Sequence, residues 1–340
     1  MTNTKIGFLG CGEWAHRKYL PYIKRHPDLQ LVAVSNLVYP QEREDIRNDF
    51  PNITFFDDHH ELCTKAEIDC AIVALPHAMH QAAAKSALEN RIPVLVDKPL
   101  SVDFRSASSL VQLAAEKGTT LAVSSQRRTQ DGNKKIKELV KSGKLGKISW
   151  IQSEFSHGSS PNWATTWRNI PELSGLPSLK QGVLLDTGYH MIDVALYILG
   201  EFPVSVYAEL SHRGHQVDAD AVAILNFASG TRATVLVSRL VPPGFEIERV
   251  SLLGSNGYAY ADKSRFGGHS SERYSYIVDS IPGEIENNER SSALDPFIDF
   301  LGHVQGAPLP DIWLGETTLP SLQVIDALYQ SAIEHEIVNL

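Results

Sequence analysis

A short apolar run, Lys5-Ile6-Gly7-Phe8-Leu9, leads straight into Gly10-Cys11-Gly12-Glu13-Trp14-Ala15, and a helical pattern follows. Few folds accept strand, glycine turn and helix in such quick succession. In a βαβ unit built for a dinucleotide, Gly10 permits the tight turn, Gly12 lets the backbone approach a pyrophosphate, and Ala15 allows the helix to pack closely on the strand. The opening turn of the helix then faces the phosphates. Leu31-Val32-Ala33-Val34-Ser35 supplies the next strand.

Apolar strands recur at Ile6 to Leu9, Leu31 to Ser35, Cys70 to Leu75, Val94 to Val96 and Thr120 to Ser124, with helical patterns between them at Ala78 to Glu89 and Phe104 to Lys117. Gly118 stops the second helix. This alternation predicts an α/β class with a doubly wound parallel sheet over residues 1–124. From 125 to 340 a second domain is expected, of α+β type with a large, mostly antiparallel open sheet. Its strands are read at Val204 to Leu210, Ala221 to Phe227, Ala233 to Ser238 and Glu246 to Leu253, with Ser229-Gly230 as a turn. Residues 262–289 are polar and irregular and receive no role.

Composition narrows the class. A chain of 340 residues suggests about two domains, and 43% hydrophobic with 21% charged residues is ordinary for a globular protein. A formal net charge of −9 argues against a general nucleic-acid partner. The amino terminus has no long apolar stretch, and no segment offers an unbroken apolar run of membrane length, so a cytoplasmic location without a membrane partner is expected. Cys11, Cys63 and Cys70 are odd in number and lack C-x-x-C spacing, so neither a disulfide framework nor a zinc site is expected. Asp57-Asp58-His59-His60 is read as a helix cap, not a metal site.

Two further segments carry chemistry. Val94-Leu95-Val96 ends in Asp97-Lys98-Pro99, and the carboxyl ends of such strands border the ligand crevice, so Lys98 is expected to project toward a bound nicotinamide. The second, Gly182 to Asp193, sets Asp186 four residues before His190 in an apolar helical run that Gly200 would end. At a helical period Asp186, His190, Asp193 and Tyr197 share one stripe. A histidine so placed can move a proton while the carboxylate orients its ring or grips the substrate.

Together with Ile68 to His80, Gly143-Lys144-Leu145-Gly146-Lys147-Ile148 and the helix around Val324 to Ala332, these segments resemble the glucose-fructose oxidoreductase/inositol dehydrogenase/MocA (Gfo/Idh/MocA) family over nearly the whole chain. The resemblance implies an NAD- or NADP-dependent oxidoreductase acting on a sugar or polyol carbon, with NAD favoured. Lys98, Asp186 and His190 are the implied catalytic group. Cofactor contacts are expected from Gly10, Gly12, Glu13, Trp14, Ala15, Ser35, Asn36, Leu75, Pro76, His77, His80, Asp97 and Lys98, with His80 equally readable as structural. Substrate contacts are expected from Gln126, Arg127, Trp167, Arg168 and Tyr189, with Trp163 as a further stacking candidate. The partner set is then a small sugar or polyol and a second copy of the chain, as a homodimer or homotetramer through the open sheet.

Departures from the family pattern bear on these expectations. Asp97 stands where the family usually has glutamate, and Asn36 carries no charge to repel a 2′-phosphate. Ser174 to Gln181 reads as an inserted loop that shapes substrate choice. The bases Arg127, Arg128, Lys134, Lys135, Lys137, Lys141, Lys144 and Lys147 outnumber the acids Asp131 and Glu138, and are read as a solvated helix face in preference to an anion site. Two alternatives stay open: a glycosidase-type enzyme that retains its NAD, and a non-catalytic dinucleotide sensor.

Overall fold

The computed structural model describes residues 3–35, 40–158, 165–266, 269–284 and 293–340. It comprises two units, Met1–Ser125 with Leu294–Leu319, and Gln126–Ala293 with Pro320–Leu340. The first therefore takes a segment from late in the chain, Leu294–Leu319, that the expected boundary had left with the second.

Six parallel strands build the first unit: β1 (Thr4–Leu9), β2 (Leu29–Ser35), β3 (Thr54–Phe56), β4 (Cys70–Val73), β5 (Val94–Asp97) and β6 (Leu121–Ser124). Their order, β3-β2-β1-β4-β5-β6, reverses between β1 and β4. Every residue of β4 and β6 is buried, as expected of strands covered on both faces. The helix Phe104–Lys117 lies where its caps put it: the Asp103 carboxylate accepts from the Ser106 N–H at 2.7 Å, and Gly118 closes the other end at φ +63°. Asp58 caps the helix His59–Lys65 by accepting from Glu61 N–H at 2.8 Å. The core joins Phe8 and Tyr19 to Phe297, Phe300 and Trp313 from the late segment. Tyr19 stacks on Phe297 at 4.4 Å, an arrangement worth about 0.5–1.5 kcal/mol beyond the area it buries.

In the second unit, β7 (Ile148–Gly158), β8 (Pro203–Ser211), β9 (Asp220–Phe227), β10 (Arg232–Pro243), β11 (Glu246–Gly254), β12 (Gly257–Phe266), β13 (His269–Val278), β14 (Ile281–Glu284) and β15 (Val338–Asn339) form one sheet, ordered β14-β13-β12-β11-β7-β10-β9-β8-β15. All neighbours run antiparallel except β7 and β10. The helix Tyr189–Leu199 packs on β7 and β10, and Asp131–Lys141 packs on β12. Alternation then sends Ile151, Ser153 and Phe155 toward the helices and leaves Gln152 and Glu154 on the far face. The stretch read as irregular from 262 to 289 is corrected in part, since it holds the end of β12 and all of β13 and β14. The first half of β13, His269 to Arg273, is polar on both faces, which erases the alternation that reveals a half-buried strand.

Candidate active site

The turn after β1 uses its two glycines differently. Gly10 sits at φ +80°, and a Cβ there would lie 2.3 Å from Leu75 Cδ2 and 2.9 Å from the Ala74 carbonyl oxygen. Its N–H donates to Ser35 O at 3.1 Å, and the Gly12 N–H donates to Ala74 O at 3.3 Å. A Cβ on Gly12 would meet only Ala74 O, at the ordinary distance of 3.5 Å. The fold thus requires glycine at 10 and tolerates a side chain at 12, so any demand for bareness at 12 comes from a group docked against that backbone. The helix opens at Glu13, and Ala15 is fully buried. A turn of this kind at the carboxyl end of β1, beside the strand-order reversal, fits a dinucleotide pyrophosphate.

Glu13 is exposed and pairs with Arg17 at 3.1 Å, while Trp14 lies edge-on to Tyr19 and receives Lys18 over its ring. Ser35 is buried at the end of β2. Asn36 and Trp163 lie outside the described residues. At the end of β5 the Lys98 N–H donates to Asp97 Oδ1 at 3.0 Å, and the Lys98–Pro99 peptide is cis. His80 Nδ1 lies 2.7 Å from Pro99 O and its Nε2 lies 2.8 Å from Leu75 O. His80 therefore ties the segment after β4, which carries Leu75, Pro76 and His77, to the loop that carries Lys98. His77 is buried edge-on to it, with ring centroids 5.6 Å apart.

In the second unit the helix expected from Gly182 onward begins with a π turn, Leu184–Gly188, before continuing as Tyr189–Leu199 and stopping at Gly200, φ +65°. A π turn is one residue wider than an α turn, so the single stripe expected for Asp186, His190, Asp193 and Tyr197 is offset. The two carboxylates consequently serve different partners. Asp193 is buried and takes both arms of Arg128, at 2.8 and 2.5 Å, with the Ser321 hydroxyl at 3.0 Å. Asp186 Oδ2 accepts from Arg168 Nε at 3.2 Å and from Arg239 Nη2. His190 is buried, edge-on to Tyr189 at 6.1 Å and to Phe155 at 6.3 Å.

The start of this segment is fixed by a carboxylate absent from the expected set. Asp218 is buried and accepts from the Gly182 N–H at 2.6 Å, the Leu184 N–H at 2.8 Å and the Tyr329 hydroxyl at 2.8 Å. Burial raises its pKa against the pull of those donors.

Among the expected substrate residues, Arg127 spends Nε and Nη2 on Glu248 at 2.9 and 3.1 Å and lies 4.3 Å over the Phe155 ring. Gln126 opens a 3-10 turn with its side-chain oxygen buried. Tyr189 is fully buried, and Arg168 stacks on Trp167 at 4.5 Å. The basic run is thus not a uniformly solvated face: Arg127 and Arg128 enter buried ion pairs. The loop Ser174 to Gln181 closes on itself, with the Ser174 hydroxyl donating to Gln181 O at 2.7 Å and the Leu176 N–H to Gln181 Oε1 at 2.7 Å.

Three residues beside Asp186 and His190 escaped the sequence reading: Phe155 and His157 of β7, and Arg239 of β10. His157 stacks on Phe155 at 4.8 Å. Burial, and then the Arg239 charge, hold the His157 pKa down at about 3 against the opposing pull of Asp186. Burial also lowers the Arg239 pKa, Asp186 draws it back, and Arg168 lowers it again. For Arg239 the available signal is a charge within the largely apolar run Ala233 to Val241, whereas β7 is mixed in composition and marks neither Phe155 nor His157.

Residues 4–125 match the family described as "Oxidoreductase family, NAD-binding Rossmann fold", and residues 133–260 match the "GFO/IDH/MocA C-terminal domain". The chain is 28% identical over 209 residues to an uncharacterized oxidoreductase, YdgJ, of Escherichia coli (strain K12), a match that spans 62% of this chain and 57% of that one. It is 27% identical over 269 residues to a myo-inositol 2-dehydrogenase of Thermotoga maritima, covering 77% of this chain and 76% of that one. The WlbA dehydrogenase of Bordetella pertussis, solved in complex with NADH and UDP-GlcNAcA, shares the fold with a TM-score of 0.82 at 19% identity over 99% of both chains.

Proposed function

Because the chain belongs to the Gfo/Idh/MocA family of NAD-binding oxidoreductases, we propose that it moves a hydride between nicotinamide and a carbon of a sugar, polyol or sugar derivative, with His190 as the general acid or base. The observation that carries the reading is His190 itself, a buried imidazole edge-on to Phe155 and Tyr189 on the segment that also bears Asp186. Bound NAD or NADP supplies the hydride acceptor or donor. In the oxidising direction His190 accepts the hydroxyl proton, and Lys98 donates a hydrogen bond to the reacting oxygen and stabilises its developing negative charge. Asp186 acts from its place between Arg168 and Arg239, holding the guanidiniums that border the His190 segment. Gly10 to Ala15 bind the pyrophosphate, and His80 holds the Lys98 loop in place.

Calorimetry with NAD(H) and NADP(H), followed by reduced-nicotinamide absorbance against sugars, polyols and sugar acids, tests this. His190→Ala is expected to bind the nucleotide as the parent does and to lose at least a hundredfold in turnover. Turnover that survives the substitution overturns the role of His190, and absent nucleotide binding by the parent overturns the whole reading.

The same reading includes self-association through the open sheet. Its far face exposes Val222 at 46%, Ile224 at 38% and Ile277 at 49%, apolar side chains that a second copy would cover. A monomer by light scattering at micromolar concentration refutes it.

A further inference from the structure

We infer that the second unit takes a substrate bearing a carboxylate, an aldonate or uronate, and that the outer edge of Arg168 grips it. This rests on the reading of His190 above and names the substrate class for the same site. Two guanidiniums converge on one carboxylate: Arg168 and Arg239 both donate to Asp186 Oδ2. These three groups leave one positive charge over. The side chains of Arg239 and Asp186 are 6% and 11% exposed, whereas that of Arg168 is 34% exposed, so it is the member that can meet a ligand.

Its geometry suits one. Nε is committed to Asp186, and among the described residues no acceptor lies against Nη1 or Nη2. The guanidinium carbon lies over the Trp167 ring, 4.5 Å from its centre, a contact that restrains the group. The two outer nitrogens of a guanidinium present parallel N–H groups spaced for the two oxygens of a carboxylate, a match that a lysine cannot reproduce. Neighbouring groups make that one charge an upper limit: Arg127 is neutralised by Glu248, His157 is uncharged near neutrality, and the buried Asp218 carboxylate also acts on Arg239. At most one surplus charge suits a carboxylate better than a phosphate monoester, which carries roughly −1.5 to −2. The cluster also adjoins the proton-handling group, since Asp186 shares the His190 segment, and Phe155 links the His157 and His190 rings.

The experiment pairs acids with neutral counterparts on the NAD-loaded protein: D-glucuronate against D-glucose, D-gluconate against sorbitol, and glucose 6-phosphate as the competing anion. Calorimetric affinity and reduced-nicotinamide formation are both read. At least a tenfold preference for the acid is expected, and Arg168→Gln should shrink that ratio about tenfold, with Arg168→Lys falling between. Equal use of acids and neutral sugars, a preference for the phosphate, or an equal effect of Arg168→Gln on acid and neutral substrates overturns the inference. If Arg168→Gln does not fold, the wild-type ratio decides alone. Acid binding without any nicotinamide reduction sinks the role of His190 and leaves the carboxylate site standing, whereas turnover of neutral sugars alone does the reverse.

Discussion

Replacing each glycine of the β1 turn by alanine should separate what the fold needs from what the cofactor needs. At Gly10 the added Cβ lies 2.3 Å from one Leu75 carbon, 2.5 Å from another and 2.9 Å from the Ala74 carbonyl oxygen, and the backbone is at φ +80°. The left-handed backbone costs about 1–2 kcal/mol and the overpacking about 1–3 kcal/mol, so Gly10→Ala should lose roughly 2–5 kcal/mol. At Gly12 the nearest atom stands at 3.5 Å, and stability should stay within about 0.5 kcal/mol. The methyl group would nevertheless occupy the space through which a pyrophosphate approaches the backbone, so Gly12→Ala should weaken NAD(H) binding at least tenfold, about 1.4 kcal/mol. Urea unfolding without nucleotide reads the first quantity, and calorimetric titration reads the second. Unfolding midpoints that fall equally in both variants, or a Gly12→Ala protein whose Kd matches the parent, would refute the division of labour.

Two other perturbations address the second unit. His157 is neutral in the folded protein down to about pH 3, against an ordinary value of 6.5, so the unfolded chain binds the extra proton first as the solution is acidified. Its contribution is therefore fully present above the unfolded pKa and is lost as pH falls from about 6.5 toward 3, amounting to about 2 kcal/mol by pH 5. His157→Gln should accordingly flatten the fall in unfolding free energy between pH 7 and pH 5, and an unchanged slope would contradict the buried neutral imidazole. Asp218→Ala strands the Leu184 N–H and the Tyr329 hydroxyl, at about 1–3 kcal/mol each, while the Gly182 N–H keeps the Tyr329 oxygen at 3.2 Å, so it should cost at least about 2 kcal/mol, and Tyr329→Phe should cost about 1–2 kcal/mol. A loss below 1 kcal/mol for Asp218→Ala would show that water or a backbone shift replaces the cap.

What the sequence discloses is local. The β1 strand and its turn are readable because an apolar run and glycines at fixed offsets are properties of neighbouring residues. Likewise Asp103 and Gly118 bracket the helix Phe104–Lys117 within one turn of its ends. The partners of Asp186 are of another kind, since Arg239 lies 53 residues away and is brought to it by strand β10. Asp193 reads as a member of the His190 stripe until the π turn shifts the phase and Arg128, 65 residues earlier, claims it. Strand β13 hides because charge and hydroxyl residues occupy both faces of its first half, and its place comes from pairing with β12, a long-range fact.

The late return of Leu294–Leu319 to the first unit bears on the order in which this protein can be made. A ribosome releases the residues of β1 to β6 long before it reaches Phe297, Phe300, Leu301 and Trp313, all fully or nearly fully buried in the same cluster as Phe8 and Tyr19. Until then the nascent sheet carries an uncovered apolar flank, and stretches such as Cys70-Ala71-Ile72-Val73 remain beside an unfinished core. Every strand of the second unit's sheet except β15 emerges in that interval. Synthesis therefore completes the first-begun unit after most of the second, and a stall or truncation before residue 313 leaves a nucleotide-binding fold without its aromatic plug.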